Sequence, residues 1–319
     1  MKQMVRLAGL TLLATLLGAT ADDPRAETYP SKPIRIVSGA PAGGSADIVS
    51  RVVGAKLTEA WGQQVLVQPM PGASGVIAYG YVAKAAPDGY TLLIGNDGLT
   101  QVPFTIKNLP YNTTKDLEPV YQVALTPMIL VARPSLPANS LTELIALAKS
   151  KPGQLTFAEF GTSVWFPAEL LSSMAGIKLE RIGYKERSTA TVDLMAGRVD
   201  VMFSSLVSML PNIRSGTVRP LAMAGQSRSP ALPEVPTIGE TAGLKGFDYS
   251  GWVGFLAPAG TPKEIVAKLS AEVARILAMP DVRKQLSGQV ELLNSNPEQF
   301  AATIKAELAK WSTLNISSE

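Results

Sequence analysis

The chain has 319 residues, of which 46% are hydrophobic and 17% are charged, and its formal net charge is +3. This length allows two domains with buried cores. The absence of Cys and His excludes Cys and His nucleophiles, Ser-His-Asp triads, redox CxxC motifs and the usual structural zinc sites. Most enzyme mechanisms are therefore unavailable, so a binding function gains weight, and we predict no cofactor and no metal.

Residues 1–21 have the pattern of an export signal. Lys2 and Arg6 precede an apolar segment over 7–17, and Ala19-Thr20-Ala21 forms a small-residue cleavage site. The alternative is a buried N-terminal helix. We predict cleavage near Ala21, a periplasmic location and no later membrane insertion, since no other stretch reaches the roughly 18 apolar residues of a membrane helix. Cleavage removes Lys2 and Arg6 and leaves the mature chain with a net charge of +1. Nucleic acid is not an expected partner, because no Lys/Arg-rich run is present.

Short apolar runs alternate with helical patterns along the chain. Strands are predicted at 33–37, 65–67, 91–94, 128–131, 155–158, 199–203 and 218–223, and helices at 48–57, 76–84, 140–149, 166–175, 189–197, 261–278 and from 296 onward. Ser140 with Glu143, Thr261 with Glu264, and Asn296 are predicted to cap the helices that follow them. Strand–loop–helix alternation with β-branched strands predicts α/β sheets in two halves.

Three glycine-containing loops each stand between a predicted strand and a predicted helix. They are Gly39–Asp47, Pro71–Gly75 and Phe157–Ser163. Glycine lets the backbone approach a ligand closely, and the first amides of a helix offer hydrogen-bond donors to an anion. The first loop is not a Walker loop, because Ser45 stands where Lys is required. Each loop could equally be an ordinary turn in which Ser45, Asp47, Thr162 or Ser163 caps a helix.

Several longer motifs occur in order around these loops. They are Pro41-x-Gly43-Gly44-x-x-Asp47-Ile48, Pro71-Gly72-Ala73-x-Gly75, Ala86-Pro87-Asp88-Gly89-Tyr90, Asp193–Asp200 and Arg228-Ser229-Pro230-Ala231-Leu232-Pro233. In this combination the chain resembles the substrate-binding proteins of tripartite tricarboxylate transporters, the Bug or TctC-like family. The resemblance covers essentially the whole mature chain, and its Pro-Asp-Gly-Tyr and Ser-Pro-Ala-Leu-Pro segments are the most specific.

The resemblance implies an α/β periplasmic binding protein fold of two lobes. Mostly parallel sheets flanked by helices are joined by a two-strand hinge and close over one ligand like a flytrap. Lobe 1 is expected over 27–124 and 252–319 and lobe 2 over 125–251, with crossover strands near 121–131 and 250–256. The implied ligand is a small carboxylate held by backbone amides, hydroxyls and bridging waters. The implied partners are membrane permease subunits, and we expect a monomer.

The loops and the resemblance together predict the ligand-binding residues. They are Gly39, Ala40, Gly43, Gly44, Ser45, Asp47, Ser74, Gly75, Asn96, Glu159, Phe160, Gly161, Thr162, Ser163, Trp165, Tyr184, Arg187, Ser204 and Ser205. Some of them depart from the common family pattern. Gly39-Ala40 stand where an aromatic residue is common, and Ser204-Ser205 stand where Asp-Asn is frequent. In the third loop Phe157, Glu159 and Phe160 replace a Ser, a Gly and the residue after that Gly.

These departures change the expected ligand. A carboxylate at Glu159 would repel a second ligand carboxylate. Together with Phe160, Trp165 and the space left at Ala40, it predicts a monocarboxylate that carries an aromatic ring or an amino group. The alternative is that Glu159 faces solvent or pairs with Arg187.

Two other functions stay open at this point. One is a periplasmic sensor that reports its ligand to a signalling partner, which the sequence does not separate from a transport receptor. The other is a hydrolase acting through two of Asp47, Asp97 and Glu159, because a carboxylate pair can carry out acid–base chemistry when the pKa values of its members differ.

Overall fold

The computed structural model describes residues 29–40, 43–287 and 290–314, so the predicted export signal lies outside the described residues. The strands are β1 (Ile34–Ser38), β2 (Val65–Pro69), β3 (Thr91–Asn96), β4 (Leu117–Thr126), β5 (Met128–Ala132), β6 (Thr156–Glu159), β7 (Glu180–Gly183), β8 (Val201–Ser205), β9 (Arg219–Met223), β10 (Gly251–Pro258) and β11 (Glu291–Leu292). The helices are α1 (Ser45–Trp61), α2 (Val76–Ala83), α3 (Gly98–Gln101), α4 (Leu141–Ser150), α5 (Thr162–Ala175), α6 (Arg187–Met195), α7 (Leu206–Arg214), α8 (Lys263–Ala278), α9 (Pro280–Leu286) and α10 (Pro297–Trp311).

The strands form two sheets flanked by helices, which confirms the predicted two-lobe α/β class. The first sheet has the order β11-β4-β10-β3-β1-β2, and the second has the order β7-β6-β8-β5-β9. In the first sheet β1 runs parallel to β2 and β3, and in the second β6 runs parallel to β7 and β8. Both sheets are mixed, because β10 and β5 run antiparallel to both of their neighbours.

The chain passes between the sheets at two adjacent places. Strand β4 leads through Pro127 directly into β5 of the other sheet, and the return path enters the first sheet at Gly251. Gly251 is paired with Thr126, so the two crossings lie side by side. Both crossings fall inside the segments predicted from the sequence, while the exact limits of the two lobes stay a prediction.

The C-terminal helix contacts both lobes. Helix α10 packs along β4 and α3 of the first lobe, but its last residue, Trp311, is buried in the core of the second. The Trp311 ring makes an edge contact with Phe166 at a centroid distance of 5.2 Å and lies 5.8 Å from the ring of Tyr249. The end of α10 therefore packs on the second lobe, while the assignment of 252–319 to lobe 1 stays a prediction.

The predicted helix caps have mixed outcomes. Ser140 accepts a hydrogen bond from Glu143 N at 3.2 Å, and Asn296 accepts one from Gln299 N at 2.8 Å, as predicted. Helix α8 begins at Lys263, and the Thr261 hydroxyl donates to the Pro258 carbonyl instead of capping the helix. The predictions did not include β7, β11, α3, α7 or α9. Strand β7 is a mostly exposed Glu-Arg-Ile-Gly segment without an apolar run, and α7 contains Pro211.

We expect Gly254→Ala to destabilise the protein. A Cβ at Gly254 would lie 2.5 Å from Phe300 Cζ and 3.0 Å from the Tyr121 carbonyl oxygen. Overpacking of this kind costs about 1–3 kcal/mol, and each kcal/mol lowers Tm by about 2–4 °C. The measurement is thermal unfolding by circular dichroism.

A matched control is Gly183→Ala in β7, because a Cβ there has no neighbour within 4 Å. The double variant Gly254→Ala/Phe300→Leu should recover part of the lost stability, since the leucine is smaller than the ring it replaces. An unchanged Tm for Gly254→Ala would contradict the close packing of α10 on β10.

Candidate functional site between the two lobes

A cavity of about 210 Å³ lies beside the two crossings, with walls from both lobes. At roughly 30 Å³ per water molecule it holds about seven waters, or a ligand of similar size. Its lining residues are Ala40, Gly44, Ser45, Ala46, Asn96, Asp97, Thr126, Met128, Ser163, Ser205, Gly251, Trp252 and Val253. Two larger cavities lie elsewhere, one of about 640 Å³ in the loop 103–114 and one of about 600 Å³ between the crossing strands and α10.

The first turns of three helices border this cavity. Ser45 begins α1, Ser163 lies in the first turn of α5, and Ser205 is the residue before α7. None of these three helices has a side-chain hydrogen bond at its N-cap. The first amides of a helix lack partners within the helix and carry partial positive charge. At α7 the first amide, Leu206 N, already donates to the Pro127 carbonyl at 2.8 Å. The starts of α1 and α5 still place helix amides from both lobes beside the cavity, and neither Lys nor Arg is among its lining residues.

The loop before α1 is held by Asp47. Its carboxylate accepts hydrogen bonds from Gly43 N and from Arg51 Nε, both at 3.0 Å. The hydrogen bond from Arg51 is the main reason that the pKa of Asp47 is lowered, and burial opposes it. Asp47 therefore supports the loop and does not line the cavity.

The first and second predicted loops contact each other. A Cβ at Gly39 would lie only 2.8 Å from Gly75 Cα, so the two backbones could not approach this closely with a larger residue at 39. Gly75 has a φ of +93°, a value that favours glycine. This contact places the Ser74-Gly75 turn beside the loop, outside the cavity lining.

Asp97 lies on the cavity wall at the junction of β3 and α3 and is buried. Its Oδ2 accepts hydrogen bonds from the Tyr249 hydroxyl and from Gln101 Nε2. The same Tyr249 hydroxyl lies 2.8 Å from the carbonyl oxygen of Ser163 in the second lobe. Burial raises the pKa of Asp97, and these hydrogen bonds partly oppose the increase. A buried hydrogen-bond network therefore joins the two lobes beside the cavity.

A second buried carboxyl group supports the cavity from behind. Trp252 lines the cavity, and its Nε1 donates to Glu307 Oε2 at 2.8 Å. The Thr100 hydroxyl donates to the same oxygen at 2.6 Å. Burial raises the pKa of Glu307 to about 7, while these two hydrogen bonds oppose the increase. The carboxyl group thus ties α10 to α3 and to the crossing strand β10.

Comparison with known proteins identifies the family. Residues 49–317 match the tripartite tricarboxylate transporter family receptor, TctC. This chain belongs to that family. The receptor is 34% identical to the protein BugT of Bordetella pertussis over 97% of this chain and 96% of BugT.

Solved structures agree with this assignment. An R. palustris protein determined with adipate has a TM-score of 0.80 and 32% identity, covering 89% of the receptor and 96% of that chain. MatC from Rhodopseudomonas palustris, determined with bound malate, has a TM-score of 0.78 and 31% identity, covering 89% and 98%. The family consists of periplasmic solute-binding receptors rather than enzymes, and its members include carboxylate-binding proteins.

The receptor's cavity brings together six of the residues predicted from the sequence. These are Ala40, Gly44, Ser45, Asn96, Ser163 and Ser205. The predicted residues that do not line it are Gly39, Gly43, Asp47, Ser74, Gly75, Glu159, Phe160, Gly161, Thr162, Trp165, Tyr184, Arg187 and Ser204. For this second set, contact with a ligand stays a prediction.

The predicted aromatic and charged residues of lobe 2 have partners within that lobe. The Glu159 carboxylate accepts from Gly161 N, and Phe160 packs against the lobe core. Trp165 Nε1 donates to Glu169 at 3.0 Å. In the same way, the Tyr184 hydroxyl donates to Asp193 and Arg187 donates to Ser208.

Sequence reasoning missed several residues that line the cavity. They are Ala46, Asp97, Thr126, Met128, Gly251, Trp252 and Val253, of which Asp97 was considered only as half of a catalytic pair. Most of these come from the crossing strands, which are far apart in sequence. The Gly251-Trp252 pair at the start of a predicted crossover was the available signal.

The described residues give no support to carboxylate-pair hydrolysis. Asp47, Asp97 and Glu159 each have their own partners, and no hydrogen bond joins any two of them. Within the same described ranges, no group of three or more acidic side chains is placed to hold a metal ion. No helix there has the length and apolar character needed to cross a membrane.

The raised pKa of Glu307 predicts a pH dependence of stability. Between its ordinary value of 4.5 and its folded value of about 7, the folded receptor binds a proton that the unfolded chain has released. This contribution is complete below pH 4.5 and is lost as the pH rises through about 7. Relative to Glu307→Gln, the wild type should lose on the order of 3 kcal/mol of unfolding free energy over this window.

Denaturant unfolding at several pH values measures this difference. Glu298→Gln is a matched control, because Glu298 is an exposed residue in the first turn of the same helix and should follow the wild type. The free energy of unfolding of the wild type and of Glu307→Gln is plotted against pH. If the two curves run parallel from pH 4.5 to 7.5, the buried carboxyl group does not titrate as described.

Proposed function

We propose that this receptor captures a small carboxylate between its lobes in the periplasm and delivers it to the membrane subunits of a tripartite tricarboxylate-type transporter. The observation that carries the proposal is the convergence of the first turns of α1, α5 and α7 on one cavity. Backbone amides at helix N-termini bind carboxylates without a cationic side chain. A ligand that contacts both lobes favours the closed form, because it binds that form better.

The volume of the cavity and the ligands of related proteins both support a small organic acid as the ligand. The relatives determined with adipate and malate bind carboxylates, and about 210 Å³ suits a ligand of that size class. An amino-substituted monocarboxylate is the form that we favour for this chain. An aromatic acid has less support, because neither Phe160 nor Trp165 lines the cavity.

The remaining parts of the proposal concern the cell. Export follows cleavage near Ala21, and the receptor acts as a monomer without a cofactor. A labelled ligand should enter cells that carry the chain and its permease genes, and deletion of this chain should abolish that uptake. Unchanged uptake after deletion, with loss of a transcriptional response to the ligand, would favour the sensor function instead.

A thermal-shift screen tests ligand binding directly. Mono- and dicarboxylates, including adipate, malate and amino acids, are compared with their uncharged amides. At about 100 times its Kd a ligand adds about 2.7 kcal/mol, which corresponds to a rise in Tm of about 5–10 °C. We expect at least one carboxylate to give such a shift and its amide to give none. A screen in which no carboxylate raises Tm would contradict the proposal.

Ser45→Pro tests whether the amides of α1 bind the ligand. Proline is well accepted at the first position of a helix, and the residue before it, Gly44, has the extended conformation that proline requires. The variant should keep the Tm of the free receptor and lose about tenfold or more in ligand affinity, because one amide donor is removed. Isothermal titration calorimetry measures the affinity.

Ser45→Ala is the matched control, because it removes the hydroxyl and keeps the amide. We expect its affinity to stay close to that of the wild type. If alanine weakens binding as much as proline does, the hydroxyl and not the helix N-terminus holds the ligand.

A further inference from the structure

The cavity that receives the ligand contains one acidic side chain and no basic one. Among its lining residues only Asp97 carries a formal charge. Asp97 is 4% exposed, so its carboxyl group is nearly removed from solvent. Asp97 is nonetheless one of the residues that line the cavity.

The two oxygens of Asp97 have different surroundings. Oδ2 accepts a hydrogen bond from the hydroxyl of Tyr249. It accepts a second one from Gln101 Nε2 at a distance of 3.3 Å. Oδ1 lies near Gly251, where an added Cβ would be 3.4 Å from Oδ1 and 2.3 Å from Thr126 Oγ1. A Cβ at position 251 would clash with the Thr126 hydroxyl, so glycine lets this hydroxyl and Asp97 Oδ1 lie close to the same stretch of backbone. All three residues line the cavity.

The groups that surround Asp97 hydrogen-bond to it without neutralising a negative charge. Tyr249, Gln101 and the Ser163 side chain, which also hydrogen-bonds to Asp97, are neutral. The nearby carboxyl group of Glu307 would add repulsion. A buried carboxylate is costly unless a cation pairs with it. A second ligand carboxylate would increase that cost, whereas a ligand ammonium group would reduce it.

We propose that Asp97 selects ligands that carry an ammonium group at the end opposite to their carboxylate. The ligand carboxylate lies at the first turns of α1, α5 and α7, and its ammonium group donates to Asp97 Oδ1 and to the Thr126 hydroxyl. This assignment rests on the proposed function, because it concerns the same cavity. The receptor is then specific for short amino acids over unsubstituted acids and dicarboxylates.

The rival arrangement uses a neutral Asp97. Burial raises the pKa of this group, and a protonated Asp97 would donate a hydrogen bond to a second ligand carboxylate. Dicarboxylates would then bind more tightly than amino acids. The two arrangements predict opposite ligand preferences, so binding measurements separate them.

Isothermal titration at pH 7.5 with ligands of one chain length tests the proposal. The probes are 4-aminobutyrate, butyrate and succinate, and a shorter series is β-alanine, propionate and malonate. In at least one series the wild type should bind the amino acid at least tenfold more tightly than the other two acids. Asp97→Asn keeps the shape and removes the charge. A charged hydrogen bond is worth about 1.5–3 kcal/mol, so amino acid affinity should fall about ten- to hundredfold.

In Asp97→Asn, the affinity for the unsubstituted acid should change less than threefold, and the dicarboxylate should bind as well or better. Asp248→Asn is the matched control, because Asp248 lies next to Tyr249 but lines the other cavity, beside α10. It should leave every affinity unchanged. Thermal unfolding of the free variants checks that both are folded.

Three results would overturn the assignment of Asp97. The first is that the wild-type receptor binds the dicarboxylate or the unsubstituted acid as tightly as the amino acid. This result is obtained without any variant. Another is an equal loss of all ligands in Asp97→Asn, which would make Asp97 a structural residue. The third is unchanged amino acid affinity in that variant. Absence of any carboxylate binding to the wild type would instead contradict the proposed function, and the inference with it.

Discussion

The antiparallel pairing of β4 with β10 is the constraint on which the rest of this receptor depends. Each strand carries the chain into or out of the first sheet, and their pairing begins where Thr126 meets Gly251. Because all eight residues of β10 are buried, this ribbon cannot shift its register without exposing core side chains. The chain thus passes between the lobes at two adjacent crossings, and the cavity forms directly beside them.

Several buried polar groups lie along this same pair of strands, β4 and β10. Tyr249, just before β10, reaches both Asp97 in the first lobe and the Ser163 carbonyl in the second. Trp252, within β10, connects the cavity wall to Glu307 on α10. In a low-dielectric interior such groups are stable only with their hydrogen bonds formed, so each one fixes the relative position of the elements that it joins.

In the proposed function, the ligand is bound by helix ends rather than by charged side chains. An Arg clamp would hold a carboxylate strongly through paired, charge-assisted hydrogen bonds. Helix N-termini offer about half a positive charge spread over several amides. This weaker and more distributed attraction would suit the proposed release of the ligand to a membrane partner. The lack of lining cations also leaves the single carboxyl group of Asp97 to dominate the electrostatics of the cavity.

Local features of this protein could be predicted because they depend on neighbours in sequence. The alternation of strands and helices, the caps at Ser140 and Asn296, and the Gly-Gly-Ser turn before α1 all involve residues a few positions apart. The family resemblance extended this to the two-lobe fold. The candidate loops were recognised for the same reason, since a glycine-containing turn before a helix is a local pattern.

Only the tertiary structure decided which side chains meet in the cavity. Glu159, which the loop pattern placed at the ligand, accepts from an amide two residues away, whereas Asp97 is carried to the cavity wall by the end of β3. Asp97, Thr126, Ser163 and Gly251 come from four separate segments, and their approach depends on the pairing of β4 with β10 and on the packing of α3 against α5. Contacts between residues so distant in sequence depend on the order of the strands in the sheets and on the packing of the helices. From this sequence, that arrangement could be predicted only through the resemblance to a family.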